Sequence, residues 1–138
     1  MNYFILILFA LAPSFIWLLF FLKKDAHPES KRMILKIFLF GILIAFLALF
    51  VEKGVFQLIS MINLAPSVIF ILNLFIAVAF VEEFLKYLIF REKIESDSAL
   101  DEPTDAMIYM IVVALGFAAF ENILILLPLG SSFLFQDV

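Results

Sequence analysis

Glu82 and Glu83 stand four and three residues before Lys86 inside a long apolar run, and a third acid, Glu121, followed by Asn122, interrupts the next such run. Residues three and four apart share a helix face, so one ammonium can reach both carboxylates. Two close carboxylates resist ionising together, and an adjacent cation offsets that resistance. Such a pair can hold one proton between them and suits general acid–base work on water. Charged side chains at membrane depth cost roughly 2.5–3.5 kcal/mol each on insertion scales. Their retention in two neighbouring runs points to chemistry or transport within a bilayer. The competing readings put Glu82, Glu83, Lys86 and Tyr87 at the membrane boundary and make Glu121-Asn122 a structural pair. Against the first of these, Tyr87-Leu88-Ile89-Phe90 prolong the apolar run beyond the charges.

The elements that must hold these residues follow from composition. Of 138 residues 66% are hydrophobic, and 19 are phenylalanine, against about 45–50% apolar in ordinary soluble domains. Backbone groups in lipid must pair within their own segment or in a closed barrel, and continuous rather than alternating apolar runs select helices. The expectation is an all-α integral membrane protein, one transmembrane domain over residues 1–138. Four spanning helices are expected: Asn2–Leu22, Met33–Val51, Pro66 to about Phe90, and Asp105–Leu127. The first is read as uncleaved and kinked at Pro13, since no basic segment precedes Ala10-Leu11-Ala12 as a signal peptide requires. Glu52–Ala65 carries Lys53, Gln57 and Ser60 on one face and reads as an interfacial helix or a plain loop.

Five basic residues, Lys23, Lys24, Lys31, Arg32 and Lys36, follow the first helix, and Arg91 and Lys93 follow the third, whereas Lys53 alone lies in the second connection. The positive-inside rule then puts both termini outside the cytoplasm. With no cysteine, disulfides, haem attachment and zinc–thiolate sites are excluded. The single histidine, His27, lies in a hydrophilic loop. Only carboxylate and amide ligands remain at membrane depth, a weak metal set.

Spacing also raises a problem of depth. If Phe90 and Asp105 end a simple hairpin, Glu83 lies about 10 Å and Glu121 about 24 Å from that end. A shared site would need tilt, a break near Gly116, or a fourth helix beginning deeper than Asp105. Asn73, about 25 Å from Phe90, would instead be level with Glu121 and Asn122. Ala114 and Ala118 share a face with Glu121, Ala79 precedes Glu83 by one turn, and Gly116 and Ala119 add small positions, all inviting close backbone approach. Thr104 reads as the cap of the fourth helix, with Asp105 in its first turn.

Taken together, these segments resemble the PrsW family of intramembrane proteases. Glu82-Glu83-Phe84-Leu85-Lys86 is similar to its EExxK motif; Asp101-Glu102-Pro103-Thr104-Asp105 through Tyr109 to its D-E-P-x-D-G-x-x-Y segment; and Gly116-Phe117-Ala118-Ala119-Phe120-Glu121-Asn122 to its GFAxxEN. Ala12-Pro13 through Trp17, and Asp25-Ala26-His27-Pro28-Glu29, are similar to its N-terminal region. The resemblance implies a protease of the bacterial plasma membrane that cuts membrane-anchored proteins, anti-sigma factors being the best-known type. Glu82, Glu83, Lys86, Glu121 and Asn122 are then its catalytic set, and Asp101, Glu102, Asp105, Tyr109 and Gly116 its supporting motif residues. The implied partners are a protein substrate and the lipid bilayer, with no nucleic acid, and oligomeric state stays open. A divalent metal such as zinc, or glutamates alone, would activate the water. Ala106 replaces a common glycine, and the family continues through further helices bearing a histidine motif, so the chain is expected to be a shortened or truncated member. A proton-coupled transporter or channel, and a non-catalytic membrane assembly protein, are the alternative classes.

Overall fold

The computed structural model describes residues 3–24, 29–95, 100 and 102–126; His27, Asp101 and the tail from residue 127 onward lie outside this set. All elements in it are helical: α1 (Tyr3–Lys24), α2 (Lys31–Ser60), α3 (Pro66–Leu72), a π-helical segment (Asn73–Phe80), α4 (Val81–Lys93) and α5 (Pro103–Leu126). The third to fifth elements form one continuous rod, Pro66–Lys93, so four helices among the described residues are long and apolar enough to cross a membrane. This is the expected all-α architecture of an integral membrane protein.

Helix α1 runs through Pro13 as a single element. The Ser30 hydroxyl caps α2, accepting the Met33 N–H at 3.2 Å. From there α2 continues unbroken to Ser60, which corrects the separate interfacial helix or loop expected over residues 52–65. No proline interrupts the chain between Ser30 and Pro66, so nothing stops the helix at Val51. Its 30 residues span about 45 Å, more than the roughly 30 Å of a hydrocarbon core. The polar residues Lys53, Gln57 and Ser60 therefore belong to the far part of one long spanning helix instead of starting a new one. Only Met61–Ala65 remains for the connection, and Pro66 opens α3 at its first position.

The entry to α5 also differs from expectation. Pro103 is the first helical residue, and Asp105 Oδ2 reaches back to accept the Glu102 N–H at 2.7 Å. Asp105 thus supplies the return half of a capping box, and Thr104 does not cap; its hydroxyl donates to the Glu102 carboxylate at 3.3 Å.

Helix α5 is the centre of the bundle and packs on α1, α2 and α4, while the backbones of α1 and α2 do not approach one another among the described residues. Its closest approach is to α2. A Cβ added at Gly41 would lie 2.3 Å from the Val113 carbonyl oxygen, and one added at Gly116 would lie 2.2 Å from that of Phe38. Both positions need glycine because backbone meets backbone. Around this crossing Ile37, Phe38, Tyr109, Val112 and Val113 form one buried cluster with Ile94 from the end of the rod. Ala45, Ala48 and Phe117 continue the packing on the other side of the glycine pair.

Candidate functional site

The first residues to consider are on α4. Lys86 Nζ donates to Glu83 Oε1 at 2.8 Å and to Glu82 Oε2 at 3.2 Å. The helical repeat puts the two acids about 100° apart around the axis, so they look in different directions. Glu82 and Lys86 turn inward, with side chains 17% and 12% exposed, whereas Glu83 looks outward at 71%. One ammonium bridges an inner and an outer carboxylate.

Lys86 also fixes the relation to α5, because its Nζ lies 4.4 Å from the centroid of the Phe117 ring. Ile94 and Tyr109 are both fully buried in one cluster. Lys86 and Ile94 are eight residues apart on one helix, and Tyr109 and Phe117 eight apart on its antiparallel neighbour. The Lys86–Phe117 contact fixes a register with which the shared burial of Ile94 and Tyr109 agrees, and that register sets Glu82 level with Glu121. Glu82 and Lys86 lie within electrostatic reach of Glu121, as that register requires. The expected depth gap disappears because the first turns of α5 overhang the end of α4 by about 12 Å. The resolution is neither a break at Gly116, which lies inside an uninterrupted helix, nor a deeper start. In this register Asn73 is not level with Glu121.

The outcome for the small residues is mixed. Gly116 and Ala119 are buried at helix contacts, but Ala114 faces outward. On the rod the buried alanine is Ala77, not the exposed Ala79. Glu83 itself faces outward, so Ala79, one turn before it, lies on the same exposed face, while Ala77 is the buried position.

A fourth acid belongs to the same group. Glu52, half-buried on α2, is in electrostatic reach of Glu82, Glu121 and Lys86. Sequence reasoning missed it by assigning it to an interfacial segment. The signal was present: Gly41, Ala45 and Ala48, all buried, lead to Glu52 at helical spacing, the same small-residue approach sought around Glu121.

The remaining motif residues gather elsewhere. Tyr109 is fully buried, and its hydroxyl donates to Glu29 Oε2. Asp105 is buried beside the Glu102 N–H. Tyr109 lies about 18 Å along α5 from Glu121. These residues clamp the start of α2 to the start of α5 at one end of the bundle, and Tyr109 does not meet the acids. Asn122 is half-buried next to Glu121, and Asp101 lies outside the described residues.

Comparison with known proteins gives this geometry a context. Residues 29–132 match the family described as PrsW family intramembrane metalloprotease. The chain is 34% identical over 111 residues to the protein named Protease PrsW of Geobacillus kaustophilus, covering 80% of this chain and 47% of that protein. It is 30% identical over 125 residues to Protease PrsW of Oceanobacillus iheyensis, covering 91% and 55%. With Protease PrsW of Bacillus subtilis it shares 31% over 121 residues, covering 87% and 53%. The chain thus spans about half the length of these relatives. No solved structure matches it.

The family's description raises the question of a metal. Among the described residues no group of three or more His, Cys, Asp or Glu side chains is arranged to hold one. Between Glu82 and Glu83 the place of a cation is taken by the Lys86 ammonium. The described side chains do not by themselves fit a metal. The ordered motifs, the level acids and the match over residues 29–132 lead to one statement: the chain belongs to the PrsW family of intramembrane proteases.

Proposed function

We propose that this chain takes part in hydrolysis of a peptide bond in a membrane-anchored protein, of the anti-sigma-factor type by family resemblance, with Glu82 and Glu83 as the acid–base centre. The observation that carries the reading is the Lys86–Phe117 contact, whose register sets Glu82 and Glu121 at one level, one turn away. A carboxylate there takes a proton from water as its oxygen attacks the scissile carbonyl carbon, and later returns that proton to the leaving amine nitrogen. Lys86, bonded to both Glu82 and Glu83, and the Asn122 amide next to Glu121 in sequence serve as donors to the developing oxyanion in this reading. Tyr109, with its hydroxyl on Glu29, serves positioning instead. Glu83, turned outward, meets a substrate helix arriving sideways through the lipid. The basic end of the bundle, with Lys23, Lys31 and Arg91, faces the cytoplasm in this reading.

The test is co-expression with a single-span reporter. Glu82→Gln, Glu83→Gln and Glu121→Gln should each lower cleavage at least about a hundredfold, the usual scale of acid–base catalysis, with membrane insertion unchanged. Full cleavage by all three variants would overturn the assignment. Proton-coupled uptake in liposomes without any cleavage would replace it with a transport role for the same acids.

A further inference from the structure

On the side of α2 away from the acids, a groove of about 630 Å³ runs between α1 and α2. It exists because both helices pack on α5 while their backbones stay apart, with the Phe15 and Phe38 rings, 5.5 Å apart, touching across it. Its length is apolar, lined by residues such as Leu11, Leu18, Leu35 and Ile42. Its polar lining gathers where the two helices are joined in sequence, at Lys23, Lys31 and Glu29. The Glu29 carboxylate accepts the Tyr109 hydroxyl and so is engaged towards α5. Among the described residues neither Lys23 nor Lys31 has an ion pair. Lys24 and Arg32 add positive charge at the same end.

We propose that this groove seats an anionic phospholipid, one acyl chain between α1 and α2 and the phosphate between Lys23 and Lys31. A groove open to the hydrocarbon layer cannot be filled by water, and an apolar slot ending in two lysines that have no ion pair among the described residues matches a lipid's own division into tail and charge. The proposal is independent of the acid site, whose residues do not line the groove.

Native mass spectrometry of the purified chain, with phosphatidylglycerol or phosphatidylcholine of identical acyl chains, reads the inference directly. Phosphatidylglycerol should be retained at least about tenfold more tightly. The double variant Lys23→Gln/Lys31→Gln should weaken that retention about thirtyfold, the effect of two lysines at about 1 kcal/mol each, with an unchanged unfolding midpoint. Leu35→Trp, which fills the groove, should lower retention of both lipids. Equal retention of the two lipids, or a double variant that binds as well as the parent, would overturn the proposal. So would displacement by millimolar inorganic phosphate, which marks a free-anion site, or a lipid-free dimer, which marks a second copy as the occupant.

Discussion

The ammonium of Lys86 lies 4.4 Å from the centre of the Phe117 ring, and this single contact sets the depth of the acids. Phe117 is one helical turn before Glu121, and Glu82 is one turn before Lys86, so antiparallel helices that match Lys86 to Phe117 must match Glu82 to Glu121. The cation rests on a ring face while holding two carboxylates, a combination favoured away from water.

The register can be checked by cross-linking, since the chain has no cysteine of its own. Leu85 and Phe120 both pack against the cluster that contains Phe117. The pair Leu85→Cys/Phe120→Cys should therefore be joined efficiently by a short bis-maleimide, which adds to both thiols. Leu85→Cys/Ile108→Cys, nearly level in a hairpin that closes Phe90 on Asp105, should not react. The opposite pattern on denaturing gels would restore the depth gap.

Removing Lys86 should be costly. Glu82 and Lys86 are mostly buried, and breaking such a pair leaves an uncompensated charge at about 3–5 kcal/mol. Lys86→Met should lose stability on that scale in detergent unfolding. Lys86→Met/Glu82→Gln should recover a substantial part of the loss. A double variant as unstable as the single one would show that the pair is not coupled.

Gly116→Ala sets a methyl group 2.2 Å from the Phe38 carbonyl oxygen, and neither backbone can yield without moving a helix. Destabilisation of about 3 kcal/mol, or loss of assembly, is expected. Gly54→Ala is the control, because no atom lies within 4 Å of its added Cβ. It should be neutral or gain up to about 1 kcal/mol from helix propensity. Equal thermal midpoints for the two variants would refute the close crossing of α2 and α5.

Tyr109→Phe removes the hydroxyl donor to a half-buried Glu29. Stability should fall by about 1–3 kcal/mol. In a cleavage assay at a temperature where the variant stays folded, the pH profile should keep the parent's shape. A changed profile would bring Tyr109 into the chemistry and contradict its separation from Glu121 of about 18 Å along α5.

Much of the site could be read from residue type and spacing. Glu82, Glu83 and Lys86 form an ionic group because three- and four-residue spacing on a helix demands it, and the apolar runs mark the four spans. What was not legible depends on contacts between distant segments. The depth of Glu121 is set by where α5 starts relative to Ile94, and the connection before Pro103 has no periodicity that reveals it. Glu52 was lost because a polar stripe beside it, Lys53, Gln57 and Ser60, resembles an interfacial helix as closely as it does the far end of a long spanning one. Ala79 reads as the packing alanine only if Glu83 faces inward, and spacing alone does not say which of two adjacent acids turns outward.

The central place of α5 bears on how the protein is made. Synthesis delivers α1, α2 and the rod to the membrane before α5 leaves the ribosome, so Glu52 and Glu82 enter lipid ahead of the helix that carries Glu121. Until then Gly41 has no backbone to meet, and α1 and α2 lack the helix on which both of their backbones pack. Assembly of the acid group thus waits on the last described helix, and a chain arrested before Pro103 would present an open, charged face to whatever insertion machinery attends it.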